Sequence, residues 1–179
     1  MSSKNNAKLI WLEEGLKILE KNGPGMLSID SLAAKTKKTK GSFYHHFKNR
    51  DDYIKKLLEH YEKMTTLELI QEASENNDPK TGLKKLTELS FRLSSKLELA
   101  IRAWALYDIS VKQFQDRIDK RRLSFLEELY LKSGKSSRIA HILALRDYSI
   151  YIGLQQLRDN YINENFSETI KAVFNHNKL

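Results

Sequence analysis

The apolar positions along this chain recur with a helical rhythm. Leu9, Leu12, Leu16 and Ile18 or Leu19 fall every three or four residues and predict a first helix from about Asn6 to Lys21. Asn22-Gly23-Pro24-Gly25 ends it, because glycine supplies a left-handed cap and proline cannot continue a helix. Ser28 opens a second helix: its hydroxyl can cap free amides, and Asp30 suits the positive end of the dipole. Leu27 and Leu32 stand at the two positions of a hydrophobic staple, and Ile29, Leu32 and Ala33 form the inner face. The helix is short, since Thr36-Lys37-Lys38-Thr39 offers no apolar continuation. Thr39 then caps a third helix, Lys40 to about Phe47. Asn49 caps a fourth, in which Tyr53, Ile54, Leu57, Leu58 and Tyr61 carry the pattern well past residue 60.

Further along, Asp78-Pro79 reads as a cap followed by proline at the first helical position, opening a helix to about Leu93. A short helix over 97–106 holds Trp104, and a long one over 109–131 stops before Ser133-Gly134. Ser136 or Ser137 starts the next, which runs to about Tyr161. Asn165 with Glu168 resembles a capping box for a last helix through Ile170, Val173 and Phe174. There is no internal repeat, low-complexity tract or long linker. The expected fold is all-α.

Composition sharpens this picture. Two prolines and seven glycines in 179 residues agree with a chain that is helix nearly throughout. The absence of cysteine excludes disulfides and thiolate metal sites. No apolar run approaches the roughly 20 residues a membrane span needs. The N-terminus lacks the apolar core of a leader because Glu13 and Glu14 arrive too soon, so the expected location is the cytoplasm, with no membrane partner. The net charge is +8, and its placement is uneven. Residues 1–58 hold 12 Lys and Arg against 6 Asp and Glu, whereas the remainder holds 19 against 17. A polyanion partner at the N-terminal end is the implication.

The most basic stretch also carries the candidate chemistry. From Ser31 to Arg50 there is no acidic residue, yet Phe43, Tyr44 and Phe47 interrupt the lysines. Phe43 and Phe47 are four apart and share one helix face, which points inward against the first two helices. The lysines and His45 then point elsewhere. The second helix, a tight turn and the third helix make a helix-turn-helix, whose second helix presents its N-terminal residues to base edges in the major groove. Those residues are Thr39, Lys40, Gly41 and Ser42, then Tyr44 and His45. Gly41 lets the helix end approach closely, and Lys40 can donate to guanine acceptors. Tyr44, Lys48 and Arg50 suit phosphates, and Ser28, Lys37 and Lys38 complete the candidate DNA-contacting set. His46 reads as a structural hydrogen-bonding residue. Adjacent helical residues diverge by about 100°, so His45 and His46 are a poor chelating pair. No metal site, cofactor or catalytic residue is assigned.

The run SIDSLAAKTKKTKGSFYHHFKNRDD resembles the signature of TetR-type transcriptional regulators. Leu32-Ala33, Gly41, Tyr44, His46, Phe47, Asn49 and Arg50 occupy places of that pattern, within a specific match of about 45 residues from Leu9 to Tyr53. The resemblance implies a homodimeric, all-helical repressor of a near-palindromic double-stranded DNA operator, released by a small-molecule effector. It implies a three-helix DNA-binding domain over residues 1–50 and a larger ligand-binding and dimerisation domain over 51–179. Two features depart from the pattern. Lys37 and Lys38 stand where a glycine and an apolar residue are usual, and a left-handed Lys37 costs about 1 kcal/mol relative to glycine. Glu14-Gly15 stands where small apolar residues are common.

For the larger domain the resemblance implies an effector cavity, with Phe91, Trp104, Tyr107, Tyr148 and Tyr151 as candidate wall residues. It also implies a dimer seam on the last two long helices. The candidates there are Ile150, Gly153, Leu154, Leu157, Tyr161, Ile170, Val173 and Phe174. Two other readings remain open: a helical binding or adaptor protein that keeps the fold without specific operator recognition, and a helical enzyme or ligand carrier whose basic arm is incidental.

Overall fold

The computed structural model of the chain describes residues 3–75, 77–161 and 166–174. Among them every regular element is a helix. The order is α1 (Ser3–Asn22), a 3-10 turn (Pro24–Met26), α2 (Ile29–Thr36), α3 (Lys40–His46), α4 (Arg50–Glu62), a π turn (Lys63–Leu67) and α5 (Glu68–Ser74). It continues with α6 (Pro79–Ser90), α7 (Ser95–Ala105), α8 (Ile109–Lys132), α9 (Ser137–Tyr161) and α10 (Phe166–Val173).

Four helix starts are capped as the sequence marks, while α1 begins at Ser3, ahead of the expected Asn6, and α7 at Ser95, ahead of 97. The Ser28 hydroxyl accepts from the Ser31 amide at 3.1 Å, Thr39 from Ser42 at 3.2 Å, Asn49 from Asp52 at 2.8 Å and Asp78 from Thr81 at 2.9 Å. Each bond satisfies an amide that has no partner inside its helix. Gly23 ends α1 with φ 74°, and its amide donates to the Leu19 carbonyl at 3.0 Å. The sequence gives no sign of the π turn, where the expected fourth helix widens at Lys63–Leu67 before α5 continues it. The Asn165 capping box lies outside the described residues.

The chain folds as two compact units: Met1–Met64 with Lys96–Asp116, and Thr65–Ser95 with Arg117–Leu179. The first is larger than the expected 1–50 segment. Tyr53, Ile54, Leu57 and Tyr61 of α4 are buried in its core, and the Tyr61 hydroxyl donates to Glu98 of α7. Its centre is a ring cluster. Phe43 meets Trp11 edge-on at 5.5 Å and Phe47 at 5.0 Å, and Phe47 meets Tyr53 at 5.0 Å. Burial of Phe43 and Phe47 stabilises by about 1.5–3 kcal/mol each, enough to hold a two-turn helix in place.

The second unit is built around α8 and α9. Leu126, Leu129 and Tyr130 of α8 and Ala140, Ala144 and Tyr148 of α9 belong to one buried cluster with Leu83 of α6 and Ile170 of α10. Helices α5 and α6 pack closely because Gly82 has no side chain. A Cβ there would stand 3.1 Å from the Ala73 carbonyl and from a Leu129 methyl.

Candidate functional site

The α2–α3 pair is a helix-turn-helix with a lysine at its bend. Lys37 has φ 55° and ψ 39°, the left-handed conformation. Its amide donates to the Ala34 carbonyl at 3.3 Å, and the Lys38 amide donates to Ala33 at 3.0 Å. That bond pair is the Schellman ending normally built on glycine. Lys38 is half-buried where an apolar side chain is usual, as expected if its stem packs and its ammonium reaches water.

Helix α3 is divided between two faces. Phe43 and Phe47 are fully buried, whereas Lys40, Gly41, Tyr44 and His45 are exposed, Tyr44 by 55%. A Cβ on Gly41 would meet only Thr39 Oγ1, at 3.7 Å, so the helix end is open. The Lys40 ammonium pairs with Asp30 at 2.5 Å. The hydrogen bond and negative charge of Asp30 raise its pKa above the usual lysine value. Lys37, Thr39 and Lys48 are exposed and Ser42 is half-buried. Ser28 is exposed with its oxygen engaged as the α2 cap. Arg50, an expected phosphate contact, is exposed and also has a partner within the unit. Its Nε donates to the Leu27 carbonyl at 3.1 Å and ties the start of α4 to the segment before α2.

The second unit contains a pocket that opens to solvent. Phe91, Tyr148 and Tyr151, three of the candidate wall residues, line it. Trp104 and Tyr107 do not. Trp104 is buried within the first unit, and Tyr107 is 91% exposed at the end of the α7 turn. Both lie in an aromatic stretch of mixed charge, and periodicity does not distinguish a core ring from a wall ring. Most of the wall is apolar, with Ile70, Leu83, Leu86 and Phe125 among its members. Tyr148 and Tyr151 are stacked, with ring centres 6.0 Å apart.

The polar part of the wall is Thr65, Thr66, Thr87, Ser90, Arg122 and Asp147 with the Tyr148 hydroxyl. Arg122 Nε donates to Thr66 Oγ1 at 3.0 Å, and Nη2 donates to the Thr65 carbonyl and hydroxyl at 3.3 and 3.2 Å. The π turn supplies both threonines, and Arg122 also stands over the Tyr151 ring at 5.9 Å. Asp147 is buried, accepts from the Tyr130 hydroxyl and pairs with Arg146 at 2.8 Å. Burial, then the hydrogen bond and charge of Asp147, push the Tyr130 pKa well up. Sequence reasoning missed Arg122, which sits in a Lys120-Arg121-Arg122 run that reads as solvated surface.

The expected seam residues divide. Leu157 and Val173 are exposed by 45% and 44%, and Gly153 has no atom within 4 Å of where a Cβ would stand. Ile150 and Leu154 are half-buried. Ile170 is buried in the core cluster and Phe174 lines the cavity, so both have partners inside the unit. The Tyr161 side chain lies outside the described residues. Ile142 and Leu145, each 50% exposed, share one flank of α9 with Gly153 and Leu157 and were not singled out from the sequence. Among the described residues no cluster of His, Asp and Glu could hold a metal ion, and no helix is long and apolar enough to cross a membrane.

These features define an all-helical fold with a helix-turn-helix in one unit and a mostly apolar cavity in the other. No family model matches the chain, and no curated protein matches it significantly in sequence. Solved structures share the fold. A TetR/AcrR-family member assigned as a candidate transcriptional regulator superposes with a TM-score of 0.82 at 18% identity, over 94% of this chain and 97% of its own. A candidate regulator from Saccharomonospora viridis, solved with choline, gives 0.80 at 15% identity over 97% of both chains. A candidate fatty acid metabolism regulator from Clostridium perfringens gives 0.67 at 16% identity over 92% of this chain and 94% of its own.

Proposed function

We propose that this protein is a TetR-type transcriptional regulator: a homodimeric repressor that binds a near-palindromic operator and is released by a small-molecule effector. The observation that carries the reading is the division of α3. Phe43 and Phe47 anchor one side while Lys40, Gly41, Tyr44 and His45 face water on the other. A two-turn helix so anchored, with a bare glycine near its start, is suited to the major groove. The net positive charge of the N-terminal third supports it, as do the regulator folds that superpose on the chain.

In this reading Lys40 leaves Asp30 for a base edge, and Tyr44 and Lys48 hold phosphates. A dimer would set its two recognition helices roughly 34–36 Å apart, one turn of the duplex. An effector releases the operator only if it prefers the arrangement that binds DNA poorly.

The test is selection of bound fragments from random duplex DNA, followed by anisotropy titration at several salt concentrations. A preferred, near-palindromic site is expected. Lys40→Ala should cost about 1–3 kcal/mol at that site and relax base preference there. Tyr44→Ala should weaken binding to all sequences alike, with an unchanged melting temperature. The left-handed Lys37 turn favours the rival reading, an adaptor without operator recognition. Binding that is steeply salt-dependent but shows no preferred site would establish that rival.

A further inference from the structure

The charged groups on the wall of the second unit's cavity are matched by the protein itself, and that balance selects a ligand class. We propose that the cavity takes an uncharged, mostly apolar molecule carrying an aromatic ring. The inference deepens the effector reading given above and rests on it for its biological meaning.

Two of the described wall residues are charged, Arg122 and Asp147. Asp147 is buried, accepts from the Tyr130 hydroxyl and pairs with Arg146 at 2.8 Å. Arg122 donates to Thr66 at 3.0 Å and, through Nη1, to the Tyr148 hydroxyl at 3.4 Å. That hydroxyl donates in turn to Asp119 at 2.6 Å, so the path that starts at the guanidinium ends on a carboxylate. Arg122, Asp119, Asp147 and Tyr148 each have further interactions within the chain. Arg122, Arg146, Asp119 and Asp147 together carry no formal net charge. A charged ligand would give up its hydration here without meeting an unmatched opposite charge, whereas a neutral one has little hydration to lose.

The other polar wall groups are neutral. The Thr87 hydroxyl donates to the Leu83 carbonyl at 2.9 Å, and Ser90 is half-buried on the same helix. A wall hydroxyl such as that of Ser90 suits a single alcohol or carbonyl on the ligand. The apolar wall is rich in rings. Phe91 lies edge-on to Tyr151 at 5.5 Å and stands 5.8 Å from Phe174, and the Tyr148 and Tyr151 rings are near parallel. Ring faces and edges set at several angles favour a flat aromatic guest. The Arg122 guanidinium stands over the Tyr151 ring at 5.9 Å, so a cationic head would compete with it for that face.

The experiment compares three molecules that share a 4-butylphenyl body and differ in the head: 4-butylbenzyl alcohol, 4-butylbenzoate and 4-butylbenzylammonium. Each is titrated calorimetrically into the full chain at neutral pH without DNA. The alcohol should bind about tenfold more tightly than either ion, or better. Shortening its butyl group should weaken binding roughly fourfold per methylene. Leu86→Trp, at a half-buried wall position, should weaken the alcohol about tenfold by filling its place, with a cooperative melt showing that the variant is folded. Asp119→Asn keeps an acceptor for Tyr148 and removes one negative charge, so it should raise benzoate affinity severalfold and leave the alcohol unchanged. The order of the three heads is read on the wild-type protein and decides the proposal even if a variant does not fold. Equal or tighter binding of either ion, no binding of any of the three, undiminished alcohol affinity in folded Leu86→Trp, or no gain for benzoate in folded Asp119→Asn would overturn the proposal. Alcohol that binds as expected but leaves DNA affinity unaltered would sustain this inference and overturn the effector role instead.

Discussion

Gly15 shows how one absent side chain shapes the first unit. The Tyr53 hydroxyl reaches across to donate to the Trp11 carbonyl at 2.9 Å, and a Cβ on residue 15 would stand 1.8 Å from that oxygen. Helix propensity alone favours alanine at a helical position by about 1 kcal/mol. Here the clash and the lost hydrogen bond oppose it, and Gly15→Ala should destabilise by about 1–3 kcal/mol in chemical denaturation. The same change in a Tyr53→Phe background should cost much less, because the clashing oxygen is gone; equal costs in the two backgrounds would contradict this account. In the second unit, Gln155 is 1% exposed, and neither amide atom has a hydrogen-bond partner among the described residues. Gln155→Leu should therefore stabilise by about 1 kcal/mol, seen as a higher melting temperature.

At the scale of elements, the α2–α3 turn and the π turn depart from what the amphipathic pattern alone implies. The α2–α3 turn keeps glycine geometry with a lysine, at a cost of about 1 kcal/mol. Lys37→Gly should recover most of that in thermal unfolding. If Lys37 faces phosphate in the complex, the same variant should also bind DNA more weakly, with a salt slope smaller by about one. A variant that is no more stable than wild type would mean that this conformation carries no strain. The π turn has a different consequence. Successive α-helical residues diverge by about 100°, yet the neighbours Thr65 and Thr66 both reach the Arg122 guanidinium. The widened turn, together with the length of the arginine, makes that possible. Such turns recur at functional sites, and this one contributes the polar end of the cavity.

At the scale of the whole molecule, one flank of α9 bears on the proposed assembly. Ile142, Leu145, Gly153 and Leu157 lie at intervals of three, eight and four residues, which keeps them on one flank of α9. Half-exposed Ile142 and Leu145 beside an unobstructed glycine suit a two-fold contact between copies of the helix. If the chain dimerises as proposed, Leu145→Asp should give a folded monomer in sedimentation velocity, because the side chain is half outside the core to begin with. Under the proposed function, DNA affinity should fall steeply in the same variant, since each monomer would present one α3 helix to the duplex. A Leu145→Asp protein that remains dimeric would remove α9 from the seam.

The amino-acid pattern by itself determined the helical fold and the start of most of its helices, because caps, glycine ends and three-to-four spacing act over a few residues. Ser28, Thr39, Asn49 and Asp78 all cap as their positions require, and the inward Phe43 and Phe47 follow from a spacing of four. What only the tertiary structure decided is what depends on residues far apart in the chain. Arg122 meets Thr65 and Thr66 across 57 and 56 positions, Trp104 and Tyr107 prove not to line the cavity, and Ile170 turns into the core. Helical periodicity says that a side chain faces away from water, but not which neighbours it meets there. Those neighbours are fixed only when helices remote in sequence pack together.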